Sequence, residues 1–215
     1  MERIPDIGEC FRLMEQYEML PNIRRHSIVV ARVTWRLIDA LQCSDLLSAP
    51  VPDQGLSVAG ALLHDIAKTT CLSAGCDHAE VGAEICRRHG YAGIARIVAE
   101  HVILQGHDPQ RYRRGVFTAR EVVYYADKRV RHEEIVSLNE RLDYILEHYG
   151  RNDFRLHELI RKNFARCVEL EHHMFSFLPF APEQLAAAVL SGDQAAAAGC
   201  LPPGPEAGGA WLGRG

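Results

Sequence analysis

Apolar positions recur three and four residues apart along most of the chain, and no segment sustains the alternation of a half-buried strand. Phe11, Met14 and Tyr17 form one such stripe, on a helix that Pro5-Asp6 opens, with Glu9 placed as a capping-box partner. Val29, Val30, Val33, Leu37 and Leu41 form a second, on a long helix that Asn22 can cap. Ala49-Pro50-Val51-Pro52 breaks the chain. From Leu56 to Lys68 the sequence is largely apolar (VAGALLHDIA), which predicts a central, buried helix. The Gly- and Cys-containing stretch TTCLSAGCD predicts a loop, followed by helices over 78–89, ended by Gly90, and over 94–104. A polar, basic connection, QGHDPQRYRRGVF, leads to a helix that opens on a Thr118/Glu121 capping box and carries EVVYYADKRV. Helices over 133–149 and 153–177, separated by Gly150, support the core or form an interface.

The expected fold class is therefore all-α, a helical bundle forming one domain over residues 1–180, with supporting helices at 133–178. Residues 181–215 hold an alanine-rich helix begun by Pro182 and, from about Gly199, a tail of linker composition expected to be disordered. The chain of 215 residues is 47% hydrophobic, enough for one sizeable core. A net charge of −4 removes the global basic field that would draw it to nucleic acid or anionic membrane. The N-terminus, broken by Glu2, Asp6, Glu9, Arg12 and Glu15, lacks the apolar run of a signal peptide, and no stretch approaches the ~18 apolar residues of a membrane span. Seven cysteines, irregularly placed and without a CxxC pair, suggest reduced thiols in a cytoplasmic protein.

The chemistry concentrates around His64-Asp65. A carboxylate in an apolar helix needs a counter-charge or a metal, since burying it unpaired costs several kcal/mol. An Asp65–Lys68 ion pair with His64 on a carbonyl meets that need as well as a metal does, so the pair alone leaves both readings open. Neighbouring helices add one group each: His26 on the stripe of Val30, Val33 and Leu37; His101 after Ile94, Ile97 and Val98; Asp127 in VVYYADK; and His78 at the mouth of its helix. Imidazoles and carboxylates converging from several helices suit one or two ions of iron, manganese, zinc or magnesium.

In this order, His26, His64-Asp65, His78, His101 and Asp127 resemble the signature of the HD-domain phosphohydrolase superfamily over residues 22–132. HDIAK resembles its core motif, HAEVGAEI the segment that follows in its two-metal members, and YYADK its closing Asp motif. The nearest subgroup is the bacterial HD-type diadenosine tetraphosphate hydrolases, from which VILQGHDPQ after His101 departs. The resemblance implies that His26, His64, Asp65 and Asp127 hold a first metal, and that Asp65 bridges to a second completed by His78 and His101. It implies a phosphohydrolase acting on a nucleotide-like small molecule through activated water, with Asp65 orienting the nucleophile. Alternatives are a di-iron oxygenase using the same six ligands and a non-catalytic ligand sensor. Lys68 is the candidate phosphate contact at the reacting centre. Arg111, Arg113 and Arg114 are candidates to grip distal phosphates, with Tyr112 available to stack on a base. His89, His132, His148 and His157 are expected on solvated faces, and a homo-oligomer is compatible with the pattern.

Overall fold

Local capping chemistry sets most of the helix starts in a computed structural model of the chain, which describes residues 3–151 and 153–197 (193–197 by backbone alone). Asp6 caps α1 (Ile7–Gln16) by accepting the Glu9 N–H at 2.7 Å, whereas the Glu9 carboxylate takes the Tyr91 hydroxyl instead of closing a reciprocal box. α2 (Pro21–Gln42) starts one residue before Asn22 and has no side-chain cap. Proline at the first helical position has no N–H to satisfy and a φ already suited to the helix. Asp53, Asp77 and Asp108 cap α3 (Gln54–Leu63), α5 (His78–Arg88) and α7 (Pro109–Arg113). Between them lie α4 (Lys68–Ala74) and α6 (Ala92–Glu100), and α8 (Ala119–Lys128) follows with the expected Thr118/Glu121 box.

The helix expected over 56–68 is instead two. α3 ends at Leu63, and His64 to Ala67 form a turn in which the Ile66 N–H bonds Leu63 O and the Lys68 N–H bonds Asp65 O. Most of TTCLSAGCD is then helical, as α4, and not a loop. Gly75, at φ 68°, turns the chain so that Cys71 and Cys76 come together in a disulfide, with Cα atoms 4.8 Å apart. The expectation that all cysteines stay reduced is corrected there. The helix expected over 133–149 gives its first residues to a hairpin, β1 (Val130–Arg131) paired antiparallel with β2 (Glu134–Ile135), and only then becomes α9 (Leu138–Tyr149). Strands this short leave no periodicity to detect. α10 (Phe154–Phe175), capped by Asp153, and α11 (Leu185–Ala197), entered through a 3-10 turn, complete the described chain.

α3 lies at the centre, against α2, α6 and α8, and seven of its ten residues are buried. Glycines let the helices approach: a Cβ on Gly60 would stand 2.6 Å from Ile97, and one on Gly82 2.9 Å from Val98. Truncating Leu62 or Leu63, both fully enclosed, to alanine would cost about 2–5 kcal/mol. α11 packs against α2, with Leu185 and Val189 buried and the Arg36 Nε donating to Ala188 O. Among the described residues no helix is long and apolar enough to cross a membrane. The tail beyond about Gly199 lies outside the described residues.

Candidate metal centre

Two helices end on a histidine that does the same work twice. His64 follows the last residue of α3 and His101 the last of α6, and each donates Nδ1–H to the carbonyl three residues back, Ala61 O and Val98 O, at 2.7 Å. Carbonyls in a last helical turn lack amide partners, so the imidazole satisfies one while its other nitrogen is turned outward. His26, on α2, makes the equivalent bond to His132 O in the hairpin turn, where His132 adopts φ 56°. A carbonyl only accepts, so Nδ1 carries the hydrogen in all three rings and Nε2 is the free ligand atom of the neutral form.

Those Nε2 atoms converge on two carboxylates. His26 Nε2 is 3.0 Å from Asp127 Oδ1, and His64 Nε2 lies 3.6 Å from that oxygen and 3.5 Å from Asp65 Oδ2. His78 Nε2 and His101 Nε2 each stand 3.4 Å from Asp65 Oδ1 and 3.2 Å from one another. One potential ligand atom each from His26, His64 and Asp127 falls within a common 4.8 Å, as does one each from His64, Asp65 and His101. All six residues that the sequence singled out as ligands are thus drawn together, from α2, the α3–α4 turn, α5, α6 and α8.

The electrostatics define what the cluster would accept. His64 Nε2 and Asp65 Oδ1 are buried and make no hydrogen bond. Burial by itself would depress the His64 pKa, but the Asp65 charge, helped by Asp127, outweighs it and raises it to about 9. Burial dominates at His101 and lowers its pKa to about 4 despite Asp65. Both carboxylates stay well below the usual range: burial opposes this, but Lys68 and His64 hold Asp65 down, and Lys128 with His26 holds Asp127 down. The cluster therefore calls for positive charge, which a proton on His64 supplies in part and which a divalent cation among these atoms would supply in full. The donor set, neutral imidazoles with carboxylates, fits such an ion.

Two lysines border the cluster. Lys68 Nζ is 2.7 Å from Asp65 Oδ2, which leaves Oδ1 toward His78 and His101. Lys128, which the sequence reading passed over, is buried and donates to Asp127 Oδ2 at 2.8 Å and to His101 O at 2.9 Å. Its signal was present, a lysine attached to an apolar run directly after Asp127. Above the cluster lies a cavity of about 350 Å³, floored by Asp65, Lys68, His78, His101, Asp127 and Lys128. Its roof comes from α9 and α10, including Arg141, Ile145, Ile160 and Phe164, none of which carries a local sign of function.

The arginine segment does not join the site. Arg111 is bound to the Glu121 carboxylate and to Val116 O, and the fully enclosed Tyr112 gives its hydroxyl to Glu121 at 2.9 Å. Tyr112 is therefore unavailable for stacking, and Arg111 is spent on fixing the start of α8. Arg113 and Arg114 are exposed, and neither lines the cavity. The segment is a short helix, α7, whose two faces the composition alone could not assign. His89 is also not simply solvated, since its Nε2 lies 3.0 Å from the Tyr17 hydroxyl.

A model of the HD domain family matches residues 23–132, about half of the chain and the span that carries all six converging residues. The tRNA (cytidine(56)-2'-O)-methyltransferase of Picrophilus torridus is 29% identical over 149 residues, covering 65% of this chain and 40% of that protein. The chain thus spans well under half the length of this relative. No solved structure matches it.

Proposed function

The chain belongs to the HD domain family, and on that premise we propose that it is a metal-dependent phosphohydrolase that splits a phosphoester or phosphoanhydride bond of a small molecule with water. The observation that carries the reading is the pair of buried ligand atoms without hydrogen-bond partners, His64 Nε2 and Asp65 Oδ1, beneath a cavity of small-molecule size. His26, His64, Asp65 and Asp127 would hold a first ion, and Asp65, His78 and His101 a second; iron, manganese, zinc and magnesium all suit the donors. When bound, such an ion supplies Lewis acidity, lowering the pKa of water and neutralising charge on phosphoryl oxygens.

The side chains divide the remaining work. Asp65, held through Oδ2 by Lys68, keeps Oδ1 aimed at the His78/His101 side, where it accepts a hydrogen from the attacking water and sets its direction. Lys68 sits between the cluster and the cavity, and its compact ammonium faces the place where charge develops on phosphate. Lys128 fixes Asp127 through Oδ2, so that Oδ1 faces His26 and His64. An organic group seated against the apolar roof would displace water and strengthen each of these interactions.

Nucleotides and dinucleoside polyphosphates, the substrates that the sequence resemblance suggests, belong in the screen. Methyl transfer to tRNA is the named activity of the partly matching relative; the net charge of −4 and a mostly apolar cavity of about 350 Å³ favour a small molecule over RNA here. The test is anaerobic loading with each metal, a count of bound ions, and a screen for phosphate release with oxygen uptake followed in parallel. Metal-dependent phosphate release is expected. Product formation with oxygen consumption and no phosphate release would overturn the proposal in favour of oxygenase chemistry, and failure to bind metal would overturn it outright.

A further inference from the structure

The cavity has two chemically opposite ends. Its floor is the charged cluster, in which Lys68 is held on Asp65 and Lys128 on Asp127 and His101 O. Its roof is aliphatic and aromatic, with Ile145, Leu156, Leu159, Ile160 and Phe164 facing the same space. A nucleoside needs hydrogen-bonding groups for its base edge and ribose hydroxyls, because polar groups buried without partners lose their hydration uncompensated. Hydrogen-bonding groups along the roof are few: Asn163 is held by Nδ2 donating to Val102 O and Oδ1 accepting the Tyr124 hydroxyl, both at 2.9 Å, and the exposed Tyr149 adds a hydroxyl at the rim.

Arg141 is different. It enters the cavity from α9 with its Nε buried and without a hydrogen-bond partner, while its guanidinium lies over the Tyr144 ring at 5.5 Å. An anionic headgroup would satisfy it. The volume, about 350 Å³, is at the lower end for small-molecule sites, which disfavours a dinucleoside polyphosphate. Apolar surface continues to the mouth, where Leu159 is 63% exposed and Ile103 54%.

Resting on the phosphohydrolase reading, we propose that the substrate is an amphiphilic phosphomonoester, its phosphate between the metal cluster and Arg141 and its alkyl or aryl body against the α9–α10 roof. In the reaction, the water oxygen bonds phosphorus and the phosphorus–oxygen bond to the organic group breaks. One water proton ends on the departing alcohol, and the other stays with the inorganic phosphate. Arg141 binds phosphate, and Ile160 with Leu159 selects the organic group.

The test is calorimetric titration of the metal-loaded protein with methyl- through octylphosphonate, which cannot be hydrolysed at the ester position, and with adenosine 5′-monophosphate. Affinity is expected to rise about three- to fourfold per methylene until the cavity fills, and the nucleotide to bind no tighter than butylphosphonate. Ile160→Asp, and separately the exposed Leu159→Asp, should reduce the gain to less than twofold per methylene while metal content shows that each variant is folded. Arg141→Ala should weaken every phosphonate by a similar factor. A flat series, or a nucleotide that binds tighter than octylphosphonate, overturns the proposal. Phosphate release from the matching alkyl phosphates is measured alongside. A steep series without release overturns the phosphohydrolase reading and leaves the assigned ligand class standing; release with a flat series does the reverse.

Discussion

The floor and the roof of the cavity are built on opposite principles. The floor gathers three histidines with little or no exposure, two carboxylates and a buried lysine, a costly combination unless every charge is met. Most side chains there are fixed by a second bond: His26, His64 and His101 through backbone carbonyls, and Asp65 and Asp127 through lysines. The roof is held by packing of amphipathic helices, and several of its apolar side chains remain partly exposed. The comparison teaches a division of labour. Polar groups held rigidly from behind, with ligand atoms left free, determine what chemistry is possible, while an adaptable apolar surface determines what is admitted to it.

The largest effect should come from the floor. His64→Ala or Asp65→Asn is expected to lower metal-dependent turnover on the order of 10³-fold, the equivalent of several kcal/mol of Lewis-acid stabilisation, and to strip most bound metal while circular dichroism keeps its helical shape. Retention of full metal by both variants would mean that the floor is not the centre. Within the floor, His78 is the least enclosed of the four imidazoles, with 27% of its side chain exposed. His78→Ala should therefore remove roughly one of two metal equivalents and spare the inner ion, as read by metal analysis after anaerobic loading.

Proton linkage sharpens the contrast, because the floor titrates and the roof does not. In chelated protein His64 has a folded pKa raised to about 9, so the native state holds the extra proton between 6.5 and 9, and stability falls as pH rises through that window. His101 has a folded pKa lowered to about 4, so the unfolded state holds the extra proton between 4 and 6.5, and stability falls as pH drops through that window. The thermal midpoint of the chelated protein is thus expected to peak near pH 6.5. Metal takes the place of the His64 proton, so loading should flatten the alkaline side. A chelated midpoint that keeps rising from pH 6.5 to 9 would contradict the assigned protonation.

Smaller effects lie at the edges. The Cys71–Cys76 bridge closes a short loop between Lys68 and His78, and Cys71→Ser should cost at most about 2 kcal/mol of stability. The melting temperature of oxidised parent and variant measures it, with an unchanged value marking the bridge as dispensable. The smallest effect is expected at Arg113 and Arg114. Both are exposed and absent from the cavity, so Arg113→Ala with Arg114→Ala should leave kcat and KM within about twofold, as for most surface changes. Lys68→Ala, at the floor, should reduce kcat more than it changes KM.

What could be read in the sequence and what could not follows the same division. Capping residues act within three or four positions, so the Thr118/Glu121 box announces the start of α8 correctly, whereas Pro21 displaced Asn22 because proline at the first helical position has no N–H to satisfy. The end of α3 at Leu63 was hidden, since Ile66 and Ala67 continue the apolar pattern through the turn that His64 helps to close. The disulfide depended on a left-handed Gly75, which spacing alone does not reveal.

By itself, the sequence determined the all-helical class and the identities of the six converging polar residues, because an ionisable group on an apolar stripe has few physical reasons to be there. Only the tertiary structure decided that Lys128 faces the cluster, that Arg111 and Tyr112 are spent on Glu121, and that α9 and α10 roof the cavity. Periodicity records that a helix face is buried, but not what it is buried against. That choice is made by contacts between residues far apart in the chain, such as Asn163 with Val102 and His26 with His132.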